Sequence, residues 1–450
     1  MKNFILVCIA IISVSCSFDD KTGIWKDAAT TPVERQEISP LNENIKSRFE
    51  TVFQKEKIYN EEINNLNNIP LELDAPTSIN NWVEKYGLET NNISNFLYSG
   101  DNTRLQKSSK LSKRISNNNI IFYNKNLITS DHKGKIFTYS LNLKKKFVLY
   151  DFYKKKFKNF EKKIYLIVSN NVLYAADNLG YIYAIDLIDK SLVWAKNYGI
   201  PFRSNLKIIE GQIILANQDN TIYSINFKTG ATNWQFSTGQ TSLKSDFENN
   251  FVIDKANKNL FFLNTSGELY SISYVNKKVN WVVNFKNSSP TEDANLFLSQ
   301  PLILKNNNLI ITTETGILSF NSITGDSNWT LPSNSIIKPI LDTNFTYILS
   351  KNDLLICIEN KSGKVLWSQN IYKNLEEKIV KKIGNFKEFN IFNNELNIFS
   401  KNGYMLSFDY NNGVFKSIKK ISKSGISSEI VLLKNNMFLL DRNNRLLKFN

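Results

Sequence analysis

The 450-residue chain has a single histidine, His132, and only three cysteines, Cys8, Cys16 and Cys357. One imidazole leaves little room for His-dependent catalysis, and three thiols build neither a disulfide framework nor a four-cysteine zinc site. With 9 prolines and 17 glycines the chain is neither collagen-like nor a low-complexity linker. No segment after the first residues reaches the ~18 apolar residues of a membrane-spanning helix. Gly-x-Gly-x-x-Gly, a Walker loop and Cys-x-x-Cys are all absent, and with them the common nucleotide and dithiol sites.

What is present suits a large folded body: 42% of residues are hydrophobic, 12% aromatic and 22% charged. The net charge is +15, from Lys spread along the whole chain together with Asn and Ile. The densest basic stretch, Tyr153 to Lys163, interleaves Phe157 and Phe160. That pattern would suit stacking on nucleic acid, but the amino terminus argues against such a partner.

Lys2 precedes an apolar run from Phe4 to Val14, too short to cross a bilayer and right for the core of a signal peptide. The run ends in Ser13-Val14-Ser15-Cys16, followed by the polar Ser17-Phe18-Asp19-Asp20. Small residues before a cysteine resemble the lipobox of bacterial lipoproteins, with Ser13 in place of the usual Leu. The resemblance implies a lipoprotein cleaved before Cys16, its thiol acylated with palmitate-type chains. Ser17, where Asp would favour inner-membrane retention, implies the outer membrane, facing the periplasm. Processing removes Lys2 alone among charged residues, so the net charge falls to +14. Cys357 lies in the apolar run Leu354–Ile358, where a buried inert thiol is expected. The expected organisation is a signal peptide over 1–15, a lipidated tether over 16–79 and a folded body over 80–450. A short helix is expected within Asn42–Leu66.

The body is repetitive. Each unit has an apolar strand, a tight polar turn, an alternating strand, a second polar turn and then Trp. The turn positions are 134, 180, 221, 267, 316, 354, 403 and 444, spaced by 38 to 49 residues. Eight such units predict an all-β, eight-bladed β-propeller of WD40-like or PQQ-like repeats. Five units end in Trp194, Trp234, Trp281, Trp329 and Trp367, whose rings are expected to cover the neighbouring blade. Gly230, Gly325 and Gly363, four residues before three of them, are expected at positive φ. Asp177, Asp186 and Asp219 are expected to cap turns. The last unit stops after two recognisable strands, so an N-terminal strand must close the ring. Asn80–Tyr86, with Trp82, is expected to be that strand.

The segments Ser-Ile-Asn226-Phe-Lys-Thr-Gly230-Ala-Thr-Asn-Trp234 and Ser-Phe-Asn321-Ser-Ile-Thr-Gly325-Asp-Ser-Asn-Trp329 are similar to the repeat of PQQ-like propellers. Within that superfamily, a lipoprotein signal, eight blades and no appended domain resemble the BamB family. Its members are non-enzymatic subunits of the bacterial outer-membrane β-barrel assembly machine. The resemblance implies a scaffold without cofactor, metal or catalytic residues. Its implied partners are a BamA-like insertase, through that protein's periplasmic POTRA domains, and nascent outer-membrane proteins. Two readings of other classes stand beside it: a PQQ-like quinoprotein, and a periplasmic protein binding a ligand or an anionic envelope polymer. The vicinal cysteines usual in quinoproteins are missing, and His132 lies in a turn where exposure is expected, so no enzyme is expected.

In the BamB family two neighbouring interblade loops hold the partner, one with Leu-x-Leu-Arg and one with acidic residues before a Pro-led strand. By position the first corresponds to Thr241, Leu243 and Lys244, with Thr241 replacing the first Leu. The second corresponds to Glu292, Asp293, Leu296 and Leu298 before Pro301, the two leucines standing where the family has acids. An apolar anchor suits such an interface.

Overall fold

The computed structural model describes residues 17–19, 24–26, 46–49, 57–64, 70–113, 117–144, 146–151, 157, 159–239, 248, 250–285, 299–314 and 316–450. Cys16 and the seven expected partner-binding residues, Thr241, Leu243, Lys244, Glu292, Asp293, Leu296 and Leu298, lie outside them.

Eight four-stranded antiparallel sheets form the ring. Blade 1 holds Ile121–Tyr123, Asn126–Ser130, Lys135–Ser140 and Lys146–Asp151; blade 2 runs from Ile164–Ser169 to Leu192–Asn197. Blade 3 runs from Lys207–Ile209 to Thr232–Ser237, blade 4 from Asn250–Asp254 to Lys278–Asn284, and blade 5 from Ile303–Lys305 to Ser327–Leu331. Blade 6 runs from Ile340–Leu341 to Val365–Asn370, and blade 7 from Phe386–Phe392 to Phe415–Lys420. Blade 8 combines Val431–Leu433, Asn436–Leu440 and Leu446–Phe449 with Arg104–Lys107. The repeat count read from the turns is therefore correct. One helix, α1 (Glu377–Ile383), interrupts the connection from blade 6 to blade 7.

The period of two explains why a ring is required. Along Val172–Asp177, Leu173 and Ala175 pack toward blade 1, while Tyr174 and Ala176 pack toward blade 3. Both faces of a blade are thus apolar, and neither is covered until its neighbours are in place. Burial falls off on the outermost strands, where Trp194 is buried between exposed Val193 and half-exposed Ala195.

Those tryptophans join blades as expected. The Trp194 ring lies against Gly230 of blade 3, and its Nε1 donates to the Phe227 carbonyl at 3.0 Å. Trp281 repeats this with Gly325 and the Ser322 carbonyl, and Trp329 with Gly363 and the Asn360 carbonyl. Trp367 packs on Gly413. Trp234 has no such glycine ahead of it and donates instead to Gln212 Oε1 of its own blade at 3.3 Å. Asp177 caps its turn by accepting from the Leu179 and Tyr181 amides, and Asp186 from Ile188 and Asp189. In blade 3 the cap is Asn217, two residues before Asp219.

One expectation is corrected. The ring is closed by Arg104–Lys107, antiparallel to Leu446–Phe449, and not by Asn80–Tyr86. Trp82 makes a bridge to Phe122 on the innermost strand of blade 1, and its ring is buried against Phe96. The Trp signal marked a buried ring, but at the axis rather than the rim. Of the segment Asn42–Leu66, where a short helix is expected, residues 42–45, 50–56, 65 and 66 lie outside the described residues. Lys46–Phe49 is a strand, parallel to Trp281–Asn284, that extends blade 4 to five strands. The outer edge of blade 4 supplies the backbone donors and acceptors with which this strand pairs. Beyond it, Ile63 bridges Ser368 on the outer edge of blade 6, so this part of the chain runs along the rim.

Candidate functional site

Residues 77–99 cross the axis. Trp82 and Phe122 exchange backbone hydrogen bonds in blade 1, and the Val83 carbonyl accepts from Val168 in blade 2. Lys207 of blade 3 donates to the Leu88 carbonyl and to Asn91 Oδ1. The Glu89 and Thr90 carbonyls accept from Ile253 in blade 4 and Leu304 in blade 5. Asn92 bonds Leu341 of blade 6 twice, at 2.7 and 3.1 Å. Phe96 donates to Ile391 in blade 7, and Ser99 to Lys434 in blade 8. One segment therefore meets all eight blades in order, beside the turns that follow their innermost strands. It closes that end of the central channel.

Ionisable groups gather along the axis. Glu84 and Lys207 form a buried ion pair; burial pushes the carboxyl up and the ammonium down, and their contact opposes both shifts. Lys85 pairs with Glu248 at 2.5 Å. Burial disfavours its charge, but Glu248 and other negative neighbours outweigh that and hold its pKa well above the ordinary value. The Tyr86 ring has the Lys85 and Lys338 ammonium groups 5.1 and 5.9 Å from its centroid. Burial, with the Glu429 charge adding to it, raises Glu388 to about 7. At the rim of this end, Lys305 joins Asp74, and burial beside Asp74 raises Asp342 to about 7. No sequence pattern pointed to this arrangement. The only signal was a cluster of small polar residues, Asn91, Asn92, Ser94 and Asn95 around Ile93, every one of them buried.

The opposite face carries the long connections between blades. The expected docking loops are two of these, joining blade 3 to blade 4 and blade 4 to blade 5. Their anchors are within the described residues. Gly239, at the start of the first, donates to Glu268 Oε2 at 3.0 Å, and its carbonyl accepts from Asn220 Nδ2 and Ser266 Oγ. Glu268 also accepts from Asn264 Nδ2 at 2.8 Å and from the Tyr270 hydroxyl at 2.9 Å. The second loop starts at Phe285, whose amide donates to Gly267 in the same turn. One turn of blade 4, Asn264–Glu268, thus fixes the roots of both loops and holds them side by side. Sequence reasoning missed Glu268 because nothing in the repeat distinguishes it from any other turn residue.

His132 is half-buried in the corresponding turn of blade 1, its Nδ1 paired with Glu161. Burial lowers its pKa despite that carboxylate. Cys357 is buried, unpaired by any disulfide, and its thiol is pushed up by burial, as an inert core residue should be.

Residues 154–369 match the family described as outer membrane protein assembly factor BamB. An uncharacterized protein of Rickettsia conorii is 24% identical over 236 residues, which is 49% of this chain and 56% of that protein. The outer membrane protein assembly factor BamB of Legionella pneumophila is 32% identical over 79 residues, covering 18% of this chain and 19% of that one. The chain thus spans about half of the first relative's length and less of the second. Among solved structures, BamB from Moraxella catarrhalis superposes with a TM-score of 0.59 at 11% identity, over 77% of this chain and 99% of that one. A quinohemoprotein alcohol dehydrogenase of Pseudomonas putida has the same ring, with a TM-score of 0.57 at 9% identity over 83% and 80%. Structural likeness at these identities speaks for the fold alone. With the repeat sequence and the family match over residues 154–369, the chain carries a BamB-like, PQQ-repeat propeller.

Proposed function

We propose that this ring is a non-enzymatic scaffold of outer-membrane β-barrel assembly, anchored by acylated Cys16 at the periplasmic side of the outer membrane. Its partner is the periplasmic, POTRA-type domain of a BamA-like insertase, docked on the loops that carry Leu243, Lys244 and Glu292 to Leu298. The observation that carries this reading is the shared root of those loops. Glu268 and its turn give two neighbouring connections a fixed spacing, and a preorganised surface loses less entropy on binding. Similarity to the BamB family supplies the partner class. Leu243 offers an apolar anchor, and Lys244 a point charge where the family has the planar fork of Arg.

The test is crosslinking in native membranes followed by capture of this chain. A BamA-like barrel protein should be the dominant adduct from a photo-crosslinker at position 243 and absent from one at Lys228, on the opposite face of the ring. Adducts from both positions, or from neither, would refute the assignment.

A further inference from the structure

The excess positive charge is not spread evenly around the loop face. The second residue of the turn between the middle strands is Asn178, Gln218, Thr265 and Glu314 in blades 2 to 5, but Lys351, Lys401 and Arg442 in blades 6 to 8. The slot is the same in each repeat, so the fold does not dictate the charge. These three are exposed, and so are Lys382 at the end of α1, Lys423 and Lys113.

Contacts join five of the six into one strip, with Lys351 standing before it on the equivalent turn of blade 6. Asn402, beside Lys401, donates to the Lys382 carbonyl at 3.0 Å. Ile426 donates to the Lys401 carbonyl, and Asn443, beside Arg442, donates to Ser424 at 2.8 Å. The Asn444 carbonyl accepts from Leu111 at 2.9 Å, which brings Lys113 alongside. Among the described residues none of the six forms an ion pair. Three of the acids nearby are already engaged: Glu377 pairs with Lys381, Glu376 with Lys378, and Asp441 is buried, its Oδ1 accepting the Asn443 and Arg445 amides of its own turn.

We infer that this strip, on blades 6 to 8, is a contact surface for the phosphate headgroups of an anionic bilayer. Five of the six cations are Lys, a point charge suited to a diffuse field rather than to bidentate pairing with particular carboxylates. They stand on separate protruding turns along an arc, which fits an extended charged plane and not a pocket. A row of exposed cations held near an anionic leaflet attracts it additively within a Debye length. Gly239 and Phe285, the roots of the proposed docking loops, lie on the same face at blades 3 to 5, so one sector can meet lipid while the other meets a protein. The inference does not rest on the scaffold reading.

The experiment is vesicle co-sedimentation of the chain from Ser17 to Asn450, which lacks acyl groups and contains every described residue. Phosphatidylcholine vesicles are compared with and without phosphatidylglycerol, at low and high salt. The chain should sediment with the anionic vesicles only, and lose them at high salt. K382Q/K401Q/K423Q/R442Q should weaken partitioning by at least about tenfold with an unchanged melting temperature. K190Q/K228Q/K278Q/K361Q removes the same charge from exposed turns of the opposite face and should retain binding. Equal loss in both variants, no preference for phosphatidylglycerol, or capture of a DNA duplex in place of vesicles would overturn the inference.

Discussion

Trp329 of blade 5 rests on Gly363 of blade 6, so closely that a Cβ on that glycine would fall 2.6 Å from the Trp329 Cβ, while the indole N–H reaches the Asn360 carbonyl at 2.8 Å. A bare backbone in one blade is thus the seat for an aromatic ring of the blade before it. Gly363 also has φ of 72°, which an L side chain resists. Gly363→Ala should therefore cost about 2–4 kcal/mol, combining backbone strain with displacement of the ring. Denaturant unfolding measures it. A change below about 0.5 kcal/mol would mean that the seat has slack.

Ring closure depends on Arg104–Lys107. Gln106 lies opposite Lys448 in the ladder, and Gln106→Pro removes a donor and distorts the strand. The variant should expose the edge of blade 8 and aggregate on size-exclusion chromatography. Trp82→Ala, by contrast, should cost about 3–5 kcal/mol through its buried ring and leave a monodisperse closed ring. Aggregation by Trp82→Ala alone would restore the axis segment to the role of closing strand.

The Glu84–Lys207 pair lies where an unpaired charge is costly. Lys207→Met leaves a buried carboxylate and should destabilise by about 3–5 kcal/mol, whereas Glu84→Gln with Lys207→Met should recover much of that loss. A double-mutant cycle in thermal unfolding reads the difference. Additive effects would show that the two groups do not interact.

Glu388 gives a pH signature. Its folded-state pKa, about 7, lies above the ordinary 4.5 because of burial, with the Glu429 charge adding to it. A raised folded pKa means stability fully present below about 4.5 and lost progressively as pH rises through about 7. Glu388→Gln should therefore stabilise the chain by about 2 kcal/mol more at pH 8 than at pH 5. A pH-independent effect would place the titration elsewhere.

Much of this architecture was legible because each blade repeats the same local instructions. Period-2 apolar strands, Asp or Asn at turns, and a Gly four residues before Trp are all local patterns with local physical causes. The axis segment was not legible, because its contacts are made to eight blades separated by more than 300 residues. Trp82 illustrates the limit: burial of a ring could be read from its type, but the surface that buries it could not. Glu268 illustrates another. Its role comes from the Gly239 amide 29 residues away, and only the closed ring brings the two together. The basic slots of blades 6 to 8 were visible as letters, yet the strip needs the ring to place them side by side.

The most direct test of the central claim is the affinity of the full chain carrying Leu243→Asp and Lys244→Glu for the periplasmic domains of the insertase, with circular dichroism alongside. Asp removes the apolar anchor and Glu reverses the charge, so binding should weaken by about a hundredfold while the propeller spectrum stays native. Glu268→Ala, which loosens the root of the first loop without touching the partner, should weaken it by a smaller factor. Wild-type affinity in the double variant, with a native spectrum, would contradict the account and put the docking surface elsewhere on the ring.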